Sequence, residues 1–218
     1  MTNTIFEIAP IPIFYGRLDK DERITSEEIE IIKSIELHPR DYDADKYLGT
    51  EANIFKKYKK LKRLKKVFQK YLDVYTKDIL GLQSKYKSVH SWYTKNEYGT
   101  SHSLHTHPNA MVALTYYFSD VEAGDTDFAK LCFQINSLNK IFPNFQFDQP
   151  LGKHNKFVVG EFSLNVLPHN IIIFPSHISH YTTTYYGHIP RYMIGSNYFI
   201  NGKIGRAKDI TQLEIKTG

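Results

Sequence analysis

The spacing of apolar positions changes character near residue 89. Before it, Leu61, Leu64, Phe68, Tyr71 and Leu72 recur at helical intervals, which predicts an amphipathic helix from about Ala52 to Leu80, with a break near Val74. An earlier Ile-rich segment ending at about Ile35 follows Ser26-Glu27-Glu28, which has the chemistry of a helix start. Ile5 to Phe14 places two prolines among apolar residues and reads as an extended edge strand. Residues 40–50 read as polar loop. After residue 89 short apolar runs dominate. Ser91–Tyr93, His105–Phe118, Phe157–Leu167, Asn170–Phe174, Tyr181–Tyr186 and Arg191–Ile200 are the predicted strands. Gly99, Asn109, Gly124-Asp125, Pro150-Leu151-Gly152 and Gly187 separate them.

Helices first and many strands afterwards imply an α+β chain whose second half closes into a barrel or sandwich, removing its sheet edges. We expect one domain over 1–218: a mainly helical part over 1–88, a β core over 89–200 and a loosely packed polar tail over 201–218. No internal repeat or low-complexity segment interrupts this division.

Composition narrows the function classes. The single cysteine, Cys132, excludes an internal disulfide and reads as a small buried hydrophobe. No apolar run approaches a membrane span and no signal-peptide order opens the chain, so a cytoplasmic protein without membrane partners is expected. The formal net charge of +5 is concentrated between Lys56 and Lys66, on the polar face of the predicted helix. That placement favours a solvated face over a nucleic-acid site.

The chemistry lies in three short stretches. His105-Thr106-His107-Pro108 comes first, then Phe174-Pro175-Ser176 running to His180, then Arg191 running to Asn197. Residues two apart in a strand share a face, so His105 and His107 are expected to project together. His180 on another strand would complete a facial set of metal ligands with open positions. Arg191, opening an apolar strand after Pro190, would grip a carboxylate through its planar fork. The structural alternatives are a hydrogen-bonded histidine pair in the core and an arginine paired to a surface acid. Three histidines and an arginine together argue against both. His102 reads as a loop residue near the set, His177 as rim, and Trp92 and Tyr116 as core aromatics.

These residues carry a family resemblance. Ser91-Trp92, Gly99, His105-x-His107-Pro108-Asn109 and Tyr116-Tyr117, followed by Phe174-Pro175-Ser176-x-x-x-His180, Arg191 and Asn197, resemble iron(II)/2-oxoglutarate-dependent oxygenases related to prolyl hydroxylases. Within them, the likeness is to a bacterial and phage group with an HxHP-type motif. The resemblance spans about residues 89–200. It implies a double-stranded β-helix (jelly-roll or cupin-like) with N-terminal helices packed on it, and Fe(II) and 2-oxoglutarate as cofactors. By the same resemblance His105 and His180 match the histidine ligands, and Arg191 the partner of the distal carboxylate of 2-oxoglutarate. Tyr117 and Asn197 join Arg191 in binding that cosubstrate. Parity adds to this for Tyr117, since 105, 107 and 117 would face one way along an unbulged strand.

The chain departs from the family pattern at His107, where the wider superfamily has a carboxylate. Either His107 is itself a ligand, which we favour, or Asp125 or Asp127 reaches the metal and His107 stands behind. Two positions after Arg191, Met193 replaces an expected small polar residue. The implied reaction hydroxylates an unidentified protein or small-molecule substrate, with prolyl side chains the family-level guess, and releases succinate and CO2. A homodimer is compatible with the sequence. The competing readings are a three-histidine cupin-type dioxygenase that does not use 2-oxoglutarate, and a non-catalytic β-sandwich binding module. The long connection from Asn136 to Asn155 is expected to act as a lid.

Overall fold

The architecture follows from a sheet buried on both faces. In this computed structural model, residues 11–40, 47–50, 53–119, 129–135 and 160–217 are described. The strands are β1 (Phe14–Arg17), β2 (His38–Arg40), β3 (Tyr47–Gly49), β4 (Tyr86–Asn96), β5 (His102–His105), β6 (Val112–Ser119), β7 (Lys130–Gln134), β8 (Glu161–Asn165), β9 (Asn170–Pro175), β10 (His180–Thr182) and β11 (Arg191–Ile200). A major sheet runs in the order β1-β9-β6-β11-β4-β3-β2, and a second in the order β5-β10-β7-β8. Every pairing is antiparallel. This is the double-stranded β-helix expected from the sequence, an α+β fold.

Strand alternation sorts residues between two cores. From β6, β9 and β11, Leu114, Tyr116, Phe118, Ile171, Ile173, Tyr192 and Ile194 face the helices. Ala113, Tyr117, Ile172, Phe174 and Met193 face the second sheet, where they meet Leu131 and Phe133 of β7. Because both faces are covered, β6 and β9 read as nearly continuous apolar runs, Val112-Ala113-Leu114-Thr115-Tyr116-Tyr117-Phe118 and Ile171-Ile172-Ile173-Phe174.

Three helices close the outer face. α1 (Ser26–Lys33) starts at a capping box: the Thr25 hydroxyl accepts from Glu28 N, and the Glu28 carboxylate accepts from Thr25 N. Buried Glu28 also receives Arg63 at 2.5 Å, which ties α1 to α3 (Lys62–Asp73). Between them, α2 (Ile54–Lys57) is capped by Asn53, which also receives the Ser91 hydroxyl at 2.6 Å and so joins the helix to β4. On α3, Leu64, Phe68 and Leu72 are buried while Lys62, Lys65 and Lys66 are exposed, as the helical period requires.

The helix expected over 52–80 changes character at Val74, the expected break, and is also interrupted near Tyr58, which was not expected. The chain leaves α2 at Tyr58, re-enters through a short tight turn (Lys59–Leu61), and ends α3 in a wider π-type segment, Val74–Ile79. The N-terminal part is also less purely helical than expected, since it supplies β1, β2, β3 and the start of β4. The tail forms a hairpin, β12 (Gly202–Ile204) with β13 (Leu213–Ile215). Among the described residues no helix is long and apolar enough to cross a membrane. The 124–128 segment, with Asp125 and Asp127, and the expected lid over 136–155 lie outside the described residues.

Candidate metal centre and its two pockets

Two of the three predicted histidines are cross-strand neighbours. β10 pairs with β5 so that His180 lies opposite His105, with ring centroids 4.2 Å apart. The third arrives differently from expectation. His105–Phe118 is not one strand: β5 ends at His105, the chain turns through Pro108 and Asn109 (φ 55°), and β6 begins at Val112 in the other sheet. Shared parity on a strand therefore does not explain His107. It is held instead by the residue that follows β9. Its backbone N donates to Ser176 O at 3.0 Å, and Ser176 N donates to Met111 O at 3.0 Å, clamping the turn between the sheets. The Phe174-Pro175-Ser176 stretch thus positions His107 as well as leading to His180.

The ligand nitrogens of His105, His107 and His180 all lie within 4.8 Å of one another, and this is the one such group among the described residues. Their hydrogen bonds fix which nitrogen faces inward. His105 Nδ1 donates to Ser103 O at 2.8 Å, and His180 Nδ1 donates to Ile178 O at 2.9 Å. Each bond places the ring proton on Nδ1 and leaves the Nε2 lone pair free. His107 Nε2 and His180 Nε2 stand 3.2 Å apart. Two imidazoles sharing one cation at about 2.0–2.1 Å each would have nitrogens about 3 Å apart at angles between square and tetrahedral. The donor set fits a small transition-metal ion.

Burial keeps the His107 and His180 rings in the binding form. Loss of solvation, then neighbouring imidazoles, push His107 down to about 2. Desolvation and His105 push His180 down to about 4. Neutral imidazole is the state that ligates.

Arg191 is 3% exposed and opens β11 on the inner face. Its Nη1 donates to Ala129 O at 3.3 Å, while Nε has no partner among the described residues. The guanidinium lies 5.4 Å from the Tyr117 ring centre and 5.3 Å from that of Tyr185. Desolvation lowers its pKa, partly offset by those two tyrosines. Burial raises the Tyr117 hydroxyl, which therefore stays protonated and able to donate. A buried cation with unused donors is a place for an anion.

Two adjoining pockets share the His105 and His107 rings. One is lined also by His180, Tyr117, Leu131, Met193 and Arg191, so the expected cosubstrate groups converge there. The other is lined by Thr50, His90 and Asn197. Asn197 shares the inner face of β11 with Arg191 but opens into this second pocket.

Sequence reasoning missed two lining residues, Trp92 and Tyr47, and placed a third, His102, near the set but in the wrong element. Trp92 stands on the inner face of β4, 5.4 Å from His107 between ring centres, and borders both pockets. It lies opposite Gly195, where an added Cβ would come within 2.3 Å of the indole. His102 belongs to β5, not a loop, and stacks on His105 at 4.0 Å. Tyr47, from the segment read as loop, is in β3 and lies 3.3 Å from His102 Nε2 through its hydroxyl. His177 is exposed and away from the set, and Cys132 is buried, both as expected.

Residues 90–197 match a family model described as "Putative 2OG-Fe(II) oxygenase". No curated protein matches the chain. Among solved structures, it is similar to the non-heme alpha ketoglutarate dependent epimerase SnoN of nogalamycin biosynthesis (12% identity, 87% of this chain and 78% of that one, TM-score 0.59). It is also similar to a 2OG-Fe(II) oxygenase family oxidoreductase from Burkholderia pseudomallei (9% identity, 84% of each chain, TM-score 0.53). A Pseudomonas putida prolyl-4-hydroxylase shares 12% identity over 86% of this chain and 92% of that one, with a TM-score of 0.50. At such identities the likeness is one of fold.

Proposed function

We propose that the chain, whose residues 90–197 match the 2-oxoglutarate- and Fe(II)-dependent oxygenases, is an oxidoreductase of that kind using O2 as co-substrate, with His105, His107 and His180 holding its iron and Arg191 anchoring 2-oxoglutarate. The observation that carries this reading is the pairing of a metal-competent triad with a buried, underused guanidinium in one pocket.

The carbonyls of Ser103 and Ile178 hold the His105 and His180 rings with Nε2 inward, and Ser176 holds His107 against them. Three neutral imidazoles leave the centre one positive charge richer than two histidines and a carboxylate would, which favours an anionic cosubstrate. Arg191 presents its fork to the far carboxylate and Tyr117 donates its hydroxyl beside it. Leu131 and Met193 line the same pocket with apolar surface, which excludes water and strengthens those contacts. Fe(II) held there with 2-oxoglutarate would supply the oxidising chemistry, with O2 and the cosubstrate consumed and succinate and CO2 released. The protein's share is placement and exclusion of water.

Hydroxylation of a carbon on a protein or small-molecule substrate is the simplest outcome of that chemistry. The structural neighbours include an epimerase and a prolyl-4-hydroxylase, so fold alone does not fix the product. The test is stoichiometric: succinate should form in step with 2-oxoglutarate loss, require Fe(II), and disappear in His180→Ala. Oxygen uptake without succinate would instead mean a three-histidine dioxygenase that does not use 2-oxoglutarate.

A further inference from the structure

The pocket bordered by Asn197 has no part in holding 2-oxoglutarate as proposed above. Its cavity volume of about 260 Å³ lies just under the small end of the range for small-molecule sites, room for one ring and its substituents. Three observations describe what it would accept. No Asp, Glu, Lys or Arg lines it among the described residues, so away from the metal site no side-chain charge favours a charged ligand. Trp92 forms an aromatic wall, and the bare Cα of Gly195 leaves room for the indole in that position. Asn197 is 5% exposed, and its Oδ1 is buried without a hydrogen-bond partner among the described residues. A buried carbonyl oxygen of this kind is costly unless something donates to it.

We propose that this pocket receives an uncharged, ring-shaped part of the primary substrate carrying an amide-type N–H, with Asn197 Oδ1 accepting that hydrogen and the ring lying on Trp92. His105 and His107 border the same pocket, so a group seated there lies beside the metal site. The inference rests on the oxygenase reading. It makes Asn197 a specificity residue rather than a cosubstrate contact. The donor requirement gives the selectivity: a ligand of the same shape without the N–H leaves Oδ1 unpaired and should be rejected.

Trp92 is the chain's single tryptophan, so its indole resonance is assigned without ambiguity, and with 2-oxoglutarate already bound a further shift reports a second ligand beside it. The experiment titrates isotope-labelled protein, loaded with Zn(II) in place of iron and with 2-oxoglutarate, with 2-piperidone and separately with cyclohexanone. The two probes share ring size and carbonyl, and only the lactam has an N–H. Saturable shifts with 2-piperidone bound at least about tenfold more tightly are expected, a ratio that collapses toward unity in Asn197→Ala. The wild-type ratio decides the matter even if that variant fails to fold. Equal binding of both probes, or no saturable shift in loaded protein, would overturn the inference. Failure to bind Zn(II) and 2-oxoglutarate at all is a different result. It would remove the oxygenase reading, and this inference with it.

Discussion

The two faces of the major sheet are built from alternate residues of the same strands, yet they are finished to different standards. On the helix side, Tyr116, Phe118, Tyr192 and Ile194 pack against Phe68 and its neighbours. Phe68 alone meets Phe55 at 5.5 Å and Tyr116 at 5.7 Å between ring centres. The Tyr116 hydroxyl accepts from Ile24 N at 3.3 Å and lies 3.0 Å from His169 Nδ1. On the inner side, Thr115 Oγ1, Arg191 Nε and Asn197 Oδ1 are buried without partners among the described residues. One face is closed for stability but for the Tyr198 hydroxyl, which is likewise buried without a partner among the described residues. The other keeps polar groups whose natural partners are ligands, which is where a fold departs from the rules that stabilise it.

The contrast can be broken from the outer side with the largest effect. Phe68→Ala should cost about 3–5 kcal/mol of stability, read by denaturant unfolding, because the ring is fully buried and its neighbours are held by the sheet. Any metal affinity measured on the remaining folded protein should stay close to wild type. A loss below 1 kcal/mol would mean that the helix face is not the stabilising core.

From the inner side the signs should separate. Arg191→Met should weaken 2-oxoglutarate binding by about 100-fold, since a charged pair loses one partner. The ligand-free variant should melt at the same temperature as wild type or higher, because an underused buried cation has been replaced by an apolar chain. A variant that lost stability and kept its 2-oxoglutarate affinity would show that Arg191 is structural.

A smaller effect is expected with pH. His107, His102 and His180 are held near 2, 3 and 4 by desolvation, against an ordinary value of 6.5. Between those limits the unfolded chain binds protons that the metal-free fold refuses, so stability rises with pH. It should be fully present above about pH 6.5 and decline as pH falls toward 4. Thermal melts at pH 7 and pH 5 should show a smaller loss in His107→Phe than in wild type. Equal losses would mean that this ring is not buried neutral.

Much of this arrangement was legible in the sequence, and for identifiable reasons. Arg191–Ile200 forms the strand its apolar run implied, and the helix start expected at Ser26 appears there with Thr25 and Glu28 as its box. The histidine set is brought together, but by another route: Pro108 and Asn109 turn the chain, and a hydrogen bond to Ser176 replaces strand parity. That bond joins residues far apart in sequence and leaves no local periodic trace. Trp92 shows the same limit. Its place at the site depends on lying opposite Gly195, a pairing set by β4 meeting β11, so from its own neighbours it read as core. Asn197 carries the right parity, but parity gives a face, not a position along it.

The most direct measurement of the central claim is an anaerobic titration of the purified protein with Fe(II) and then 2-oxoglutarate, followed in the visible. A charge-transfer band that requires both additions, and is absent in His180→Ala and in Arg191→Ala, is the expected result. Iron binding with no new band on adding 2-oxoglutarate would contradict the assignment of Arg191 and its pocket. No iron binding would mean that the three histidines are structural.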